Sequence, residues 1–365
     1  MKPTISQDQG VTPHQPGHIH IDFFKAIGPL RHEPQGKVFF AHDPAVGLVP
    51  VGAGAIKPQK YQDQKTSEPY WKSCDLAGQD GLAQRVELSC CPPKVFQDHN
   101  LFGHGSLPSY VLDVFNKETE KYHIDVDPED QAFWEAGLVQ IHEAHLTANF
   151  WFEGDKLALF NFVDSRVKKG KQRNGLTTIT LGGTGQRRST HRALTIYCKY
   201  EQLQNEWKQN VGPLKKQVLE LAWQTIRVEI KLYRAGLLAR GLGDLRSWQS
   251  VDVDALFFDE LLKYKLTGAV QQNVEYATAE KILSKPLLRI YGAWMAGQDL
   301  AQQYSRATIW RHRRTILETI GVDINLPRIP EVDMLDLSQV FTPENIMALP
   351  GGELQEKRYH KPHDE

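Results

Sequence analysis

The sequence lacks the features that most quickly place a chain. Its 365 residues hold four cysteines, Cys74, Cys90, Cys91 and Cys198. None is in Cys-x-x-Cys spacing, which excludes a cysteine zinc framework or disulfide scaffold and fits a reduced compartment. No apolar run reaches the roughly 18 residues that a membrane helix needs. Residues 1–17 are polar and rich in Pro and Gln, without the charged start and apolar centre of a signal peptide, and read as a flexible leader. The net charge of -1 excludes a surface coated in positive charge, so any nucleic-acid contact has to be a local patch. The glycines of Leu181 to Gln186 are not followed by Gly-Lys-Ser/Thr, so no ATP loop is expected. Neither an internal repeat nor a low-complexity block is visible.

What is there divides into stretches. From Ile19 to about Phe162, short apolar runs alternate with Gly, Pro and Asp, as in a sheet, and Leu107 to Glu118 has helical spacing. Leu203 to Trp223 predicts a helix interrupted near Gly212 and Pro213. In Ile226 to Leu232, apolar residues alternate with Arg227, Glu229 and Lys231, which predicts a strand with one polar face. The fold class is therefore α+β, with an antiparallel sheet in residues 18–245. Residues 246–325 turn helical, and 326–365, with Pro327, Pro330, Pro343 and Pro350, read as an extended tail. Within the helical part, a short helix ending near Tyr304 and a second capped by Ser305 give a helix-turn-helix outline. Its second helix carries Arg306, Arg311, Arg313 and Arg314, suited to a DNA groove.

The chemistry concentrates at His191 to Gln204, HRALTIYCKYEQLQ. If this is a strand, Tyr197 and Lys199 at i and i+2 point the same way, so one hydroxyl and one cation meet the same phosphodiester. A phenol near pKa 10 needs such a neighbour to act as a nucleophile. Tyr200 is an alternate nucleophile on the opposite strand face. Leading into this segment are Arg166, Lys168, Lys169, Lys171 and Arg173, then Arg187, Arg188 and Arg192, a patch able to track the backbone of single-stranded DNA.

Three segments in order carry a resemblance: RVELSCCPPKVFQDHNLFG from Arg85, HRALTIYCKYEQLQ from His191, and IRVEIKLYRAGLLARGL from Ile226. Together they resemble the gene-two/gene-X family of rolling-circle replication initiators of filamentous phages and related plasmids. The resemblance implies a nicking domain of the HUH kind, ahead of the smaller helical, helix-turn-helix-like domain read from the residue pattern. It implies a tyrosine nickase of the host cytoplasm that cuts one strand at a phage or plasmid origin. Tyr197 would form a 5′-phosphotyrosine, leave a 3′-OH for a host polymerase, and later religate without ATP. The partners implied are double- and single-stranded origin DNA, with host polymerase and helicase and no membrane. The alternative is an origin-binding initiator or repressor that cuts nothing.

Such nicking calls for Mg²⁺ or Mn²⁺ held by side chains at i and i+2 of a strand. Rolling-circle enzymes are named for His-hydrophobe-His, present once as His18-Ile19-His20, at the edge of the leader and outside the resembling segments. The expectation therefore falls on QIHEAH, Gln140 to His145. If the 142 face looks into the site, the ligand is His142, with Gln140 beside it on the same face; if the 143 face does, the ligands are Glu143 and His145. Glu229, at the family's Arg-x-Glu position, is either a third acidic group there or an ion pair with Arg227 or Lys231. His99 and Asn100 either orient a phosphate or, as turn formers, end a strand, and the second reading is favoured.

Overall fold

The computed structural model describes residues 17–45, 47–56, 68–76, 81–166, 171–182, 189–207, 212–264, 276–320, 322–324 and 337–362. Among the described residues, ten strands run in chain order: β1 (His20–His32), β2 (Val38–Asp43), β3 (Gly47–Ala53), β4 (Tyr70–Cys74), β5 (Ala83–Cys90), β6 (Gln140–Trp151), β7 (Lys171–Arg173), β8 (Thr178–Leu181), β9 (Arg192–Tyr197) and β10 (Thr225–Tyr233). β2 and β3 form a separate hairpin. The other eight make one antiparallel sheet in the order β4-β5-β1-β6-β10-β9-β8-β7.

Helices α1 (Pro92–Gln97), α2 (Leu107–Lys121), α3 (Pro128–Glu135) and α4 (Lys156–Arg166) lie between strands of the first half. α5 (Lys199–Glu206) and α6 (Pro213–Trp223) separate β9 from β10, with Gly212 as the cap of α6 and Pro213 as its first residue. That is the interruption the sequence predicts, since Pro lacks the N–H an interior helical position needs and is tolerated in a first turn. After β10 come α7 (Arg234–Leu238), α8 (Val253–Leu262), α9 (Tyr276–Ile282), α10 (Lys285–Met295), α11 (Leu300–Gln303), α12 (Arg306–Ile320), α13 (Leu337–Val340) and α14 (Glu353–Arg358).

The molecule is thus α+β with a large antiparallel sheet. One face of that sheet is the core: Ile226, Val228, Ile230 and Leu232 of β10 join Leu146 and Ala148 of β6, Leu194 and Ile196 of β9, and Val111, Val114 and Phe115 of α2. Trp248, Phe257 and Leu261, in the segment expected to open the helical domain, belong to this same core. A separate apolar cluster begins only with Ala279 and includes Ile290, Tyr291, Trp294, Ile316 and Ile324.

Two irregularities position the other face. Opposite β6, β1 carries one extra residue at Asp22, and three residues further on β6 carries one at His142. Each bulge shifts which side chains face which way. The last residues described do more than trail away. Ile346 bridges to Phe150, and the Met347 N–H donates to the Asn149 carbonyl at 2.7 Å, taking the place on β6 that β1 vacates beyond His20. Further on, the His360 ring stacks on Phe96 at 4.2 Å and contacts Asp113 at 2.7 Å.

Packing at Gly28 on β1 leaves no room for a side chain, since a Cβ there would lie 2.6 Å from the Phe115 ring. Gly28→Ala is expected to destabilise the protein by about 1–3 kcal/mol through overpacking, read as a lowered denaturant midpoint with unchanged slope.

Candidate functional site

The face of the sheet opposite the core is polar, and strand register builds it. Tyr197 of β9 is opposite Arg227 of β10, and Arg227 is opposite Asn149 of β6. The next positions on that face are Thr195, Glu229 and Thr147, then Lys231 opposite His145. His20 of β1 is opposite Thr147, and Asp22, two residues on, shares its face.

Asp22 and Arg227 form its centre. Arg227 Nη2 lies 2.9 Å from Asp22 Oδ1, with the arginine wholly buried and Asp22 nearly so. The pair spans from β1 to β10 across β6, a distance of about 10 Å between strands that only a long side chain bridges. Asn100 completes it: its Nδ2 donates to Asp22 at 2.7 Å and its carbonyl accepts from Arg227. Asn100 follows Asp98, whose φ of 64° ends α1 in a left-handed turn and aims the following loop back over the sheet. Asn100 is thus a member of the site, and its turn-forming neighbour Asp98 explains why the sequence reads there as a strand end.

Burial alone would raise the Asp22 carboxyl. The Arg227 guanidinium and then the Lys199 ammonium outweigh it and hold the carboxyl well below the usual carboxylate range. Asp22 in turn raises Arg227, which is charged at every accessible pH. Burial, followed by the repulsion of Arg227, pulls His20 down to about 3 and Lys199 down to about 7. The His20 imidazole is therefore neutral, and its buried Nε2 has no hydrogen-bond partner among the described residues.

The Tyr197 ring has the Arg227 guanidinium 5.9 Å from its centroid and the Lys199 Nζ at 5.8 Å. Its surface is partly open. Burial still pushes the hydroxyl well above its usual value, and Arg227 is the main influence in the other direction. Lys199 reaches Tyr197 by a route other than the predicted one. β9 ends at Tyr197, Cys198 caps α5, and Lys199 is the first helical residue, its ammonium donating to Gln202 at 2.9 Å. The KYEQLQNE segment is a strong helix former, and this preference overrides the strand pattern. Tyr200 is consequently helical and packs edge-on against Trp223 at 5.0 Å.

A second cluster adjoins the first. His145 sits between two carboxylates, Nε2 at 2.7 Å from Glu143 and Nδ1 at 2.8 Å from Glu229. Burial would lower the ring, but both hydrogen bonds raise it. Burial also acts to raise Glu229, yet His145 and then Lys231, at 3.3 Å, bring its carboxyl down to about 2. Of the two faces left open at QIHEAH, it is the 143 face that joins Glu229. His142 is the bulge residue, with Gln140 3.5 Å away, and stands outside the cluster. Glu229 pairs with Lys231, whereas Arg227 is taken by Asp22. Among the described residues, no group of three His, Cys, Asp or Glu side chains is arranged to hold a metal ion.

The basic residues disperse. Lys168, Lys169, Arg187 and Arg188 lie outside the described residues, as does the Arg166 side chain. Lys171 pairs with Asp164 at 2.9 Å, and Arg173 donates to Asn161 at 2.8 Å. Arg192 contacts the buried Glu260 at 3.3 Å. Arg313 is held by Asp323 at 2.5 Å and Arg314 by Glu318 at 3.0 Å.

The motif His18-Ile19-His20, expected at the leader's edge, leads into β1, whose first residue is His20. Only His20 joins the site; His18 is exposed, 4.0 Å from Asp254 on α8. A signal for this was available in HIHIDFF, where His20 and Asp22 alternate with Ile19 and Ile21 in a run otherwise apolar enough for a buried strand.

Asp22→Asn strands the Arg227 charge in the interior and is expected to cost about 3–5 kcal/mol, measured by chemical denaturation. His20 stays neutral when folded and gains a proton below about pH 6.5 when unfolded, so it weakens the fold as pH falls from there toward 3. Between about pH 6.5 and 5, before most carboxylates titrate, stability of His20→Gln is expected to fall less steeply than that of the wild type.

The family profile for the N-terminal part of the phage gene-two replication-associated protein matches residues 49–250. That span covers Asn100, Glu143, His145, Tyr197, Lys199, Arg227 and Glu229 and begins beyond His20 and Asp22. The replication-associated gene-two protein of Enterobacteria phage I2-2 is 22% identical over 332 residues, covering 88% of this chain and 91% of the phage protein. No solved structure matches the chain significantly. With the profile covering more than half of its length, the chain belongs to the gene-two family of replication-associated proteins of filamentous phages.

Proposed function

We propose that this chain initiates rolling-circle replication by cutting one strand of a phage or plasmid origin with Tyr197, in a nicking domain of the HUH kind. The observation that carries the reading is the register of Tyr197 with Arg227, whose guanidinium is fixed near the ring by Asp22 and Asn100.

The chemistry follows from the charges. Tyr197 Oη attacks the scissile phosphorus in line, the bond from phosphorus to the 3′ oxygen breaks, and the phosphate stays on Tyr197 as a 5′-phosphotyrosine. Arg227, permanently charged and held in place, stabilises the developing phenolate and phosphorane charge without reorganising. Lys199, with its pKa near 7, exists in both forms at neutral pH. Its neutral form accepts the phenol proton, and its charged form returns a proton to the leaving 3′ oxygen, which becomes the free 3′-OH. The energy of the ester is retained, so religation reverses the same steps without ATP.

A divalent ion, Mg²⁺ or Mn²⁺, when bound, would neutralise charge on the scissile phosphate. The donors that suit it are Glu143 and Nε2 of His145, hard oxygen and imidazole nitrogen that leave most positions to water and phosphate. Both nitrogens of His145 now face carboxylates, so the ring must give up a proton to serve.

Origin contacts are assigned to the helical segment around α11 and α12 and to the basic run ahead of β9. Host polymerase and helicase would then act on the exposed 3′-OH and displaced strand in the host cytoplasm. The second reading, an origin-binding initiator or repressor without scission, is favoured by the high Tyr197 pKa, which leaves the phenol protonated at rest.

Tyr197→Phe separates the two. Supercoiled origin DNA with Mg²⁺ or Mn²⁺ is expected to yield open circles with protein on the 5′ end from the wild type, and none from Tyr197→Phe, with origin affinity unchanged. Wild type that binds the origin but leaves no covalent adduct would establish the second reading. Arg227→Lys, which keeps the charge but not the planar fork, is expected to slow nicking by on the order of 100-fold.

A further inference from the structure

On α12 the apolar side is spoken for. Ile316 is buried, and Ile309 and Ile320 pack into the same cluster. Arg313 is turned toward Asp323. About a quarter turn round the helix from that stripe is Trp310, with 65% of its surface open, the most exposed of the tryptophans among the described residues. On its own stripe of the helix, one turn back and one turn ahead, stand the exposed Arg306 and Arg314, and the exposed Arg311 lies about 100° further round. Arg314 is engaged by exposed Glu318, while Arg306 and Arg311 enter no ion pair among the described residues. Residues 276–324 hold seven Lys and Arg against four Asp and Glu, in a chain with 43 of the former and 44 of the latter. An indole this open, flanked by guanidiniums, is matched in charge and shape by a polyanion that also offers flat aromatic faces.

We infer that the Arg306–Trp310–Arg311–Arg314 face of α12 docks an unpaired DNA strand, with a base stacked on Trp310 and flanking phosphates on Arg306 and Arg311. The inference rests on the reading that the chain acts at a DNA origin and specifies the form of DNA that this helix holds. In a duplex the base faces are hidden within the stack, and a groove-reading helix meets base edges with small or hydrogen-bonding side chains. An unpaired strand presents a ring face at every nucleotide, and stacking tolerates any sequence. Arg306 on one flank of the indole and Arg311 on the other then meet the phosphates on either side of that stack.

The test uses the full chain with Tyr197→Phe in the background, so that no covalent bond forms, and short labelled oligonucleotides of mixed sequence, single-stranded and duplex. Trp310→Ala is expected to weaken single-strand binding on the order of tenfold and leave duplex binding unchanged, while Trp310→Phe retains most of the affinity. Arg306→Gln together with Arg311→Gln is expected to weaken binding and flatten its salt dependence. Unchanged single-strand affinity in Trp310→Ala overturns the inference. So does an equal loss on duplex, which marks a groove-reading helix, or a fall in molecular mass, which marks a surface between copies of this chain. Nicking by the chain with Tyr197 intact is measured in parallel: an adduct that forms although Trp310→Ala binds normally defeats only the α12 assignment. Absence of the adduct with a clear Trp310 effect defeats only the nicking assignment.

Discussion

A buried guanidinium and the carboxylate that neutralises it organise the polar half of this molecule. Arg227 is one of the largest side chains fully removed from solvent, and a charge in that position survives only with a partner and hydrogen bonds. Asp22 and the Asn100 carbonyl supply both, and they come from β1 and from the loop after α1. Three distant stretches of chain are thereby fixed around one side chain. Everything nearby responds to it: the neutral His20, the weakened Lys199 and the environment of the Tyr197 hydroxyl all have Arg227 among their leading electrostatic influences.

The neighbouring cluster obeys the opposite sign. Glu143, His145, Glu229 and Lys231 alternate in charge across β6 and β10, so His145 is favoured as a cation where His20 is forced to be neutral. Two imidazoles on adjacent strands are thus pushed in opposite directions by their surroundings, His20 toward the neutral form and His145 toward the charged one.

Much of this was legible from residue pattern. The alternation of β10, the helix at α2 and the Gly212-Pro213 break follow directly from periodicity and backbone chemistry, and the Tyr-x-Lys segment marks the neighbourhood of the site. What escaped has identifiable causes. Lys199 follows a switch from strand to helix within one residue, where local propensity and strand pattern overlap. His142 occupies a bulge, and a single inserted residue reverses an assignment of faces that alternation alone cannot detect. The Asp22–Arg227 contact joins positions more than half the chain apart, and no spacing rule connects them. The helical core, likewise, begins after α8, because Phe257 and Leu261 are apolar at helical spacing whichever core receives them.

The bridge between Phe150 and Ile346 bears on how this protein comes into being. β6 is a central strand, yet its last rungs are filled by residues synthesised long after it, with the Asn345 side chain reaching the Trp151 carbonyl across a sequence separation of 194. Closing so remote a loop is entropically costly and comes late in folding. On the ribosome, the sheet that carries Tyr197 therefore keeps open rungs on β6 while the stretch that separates Trp151 from Asn345 is still being made.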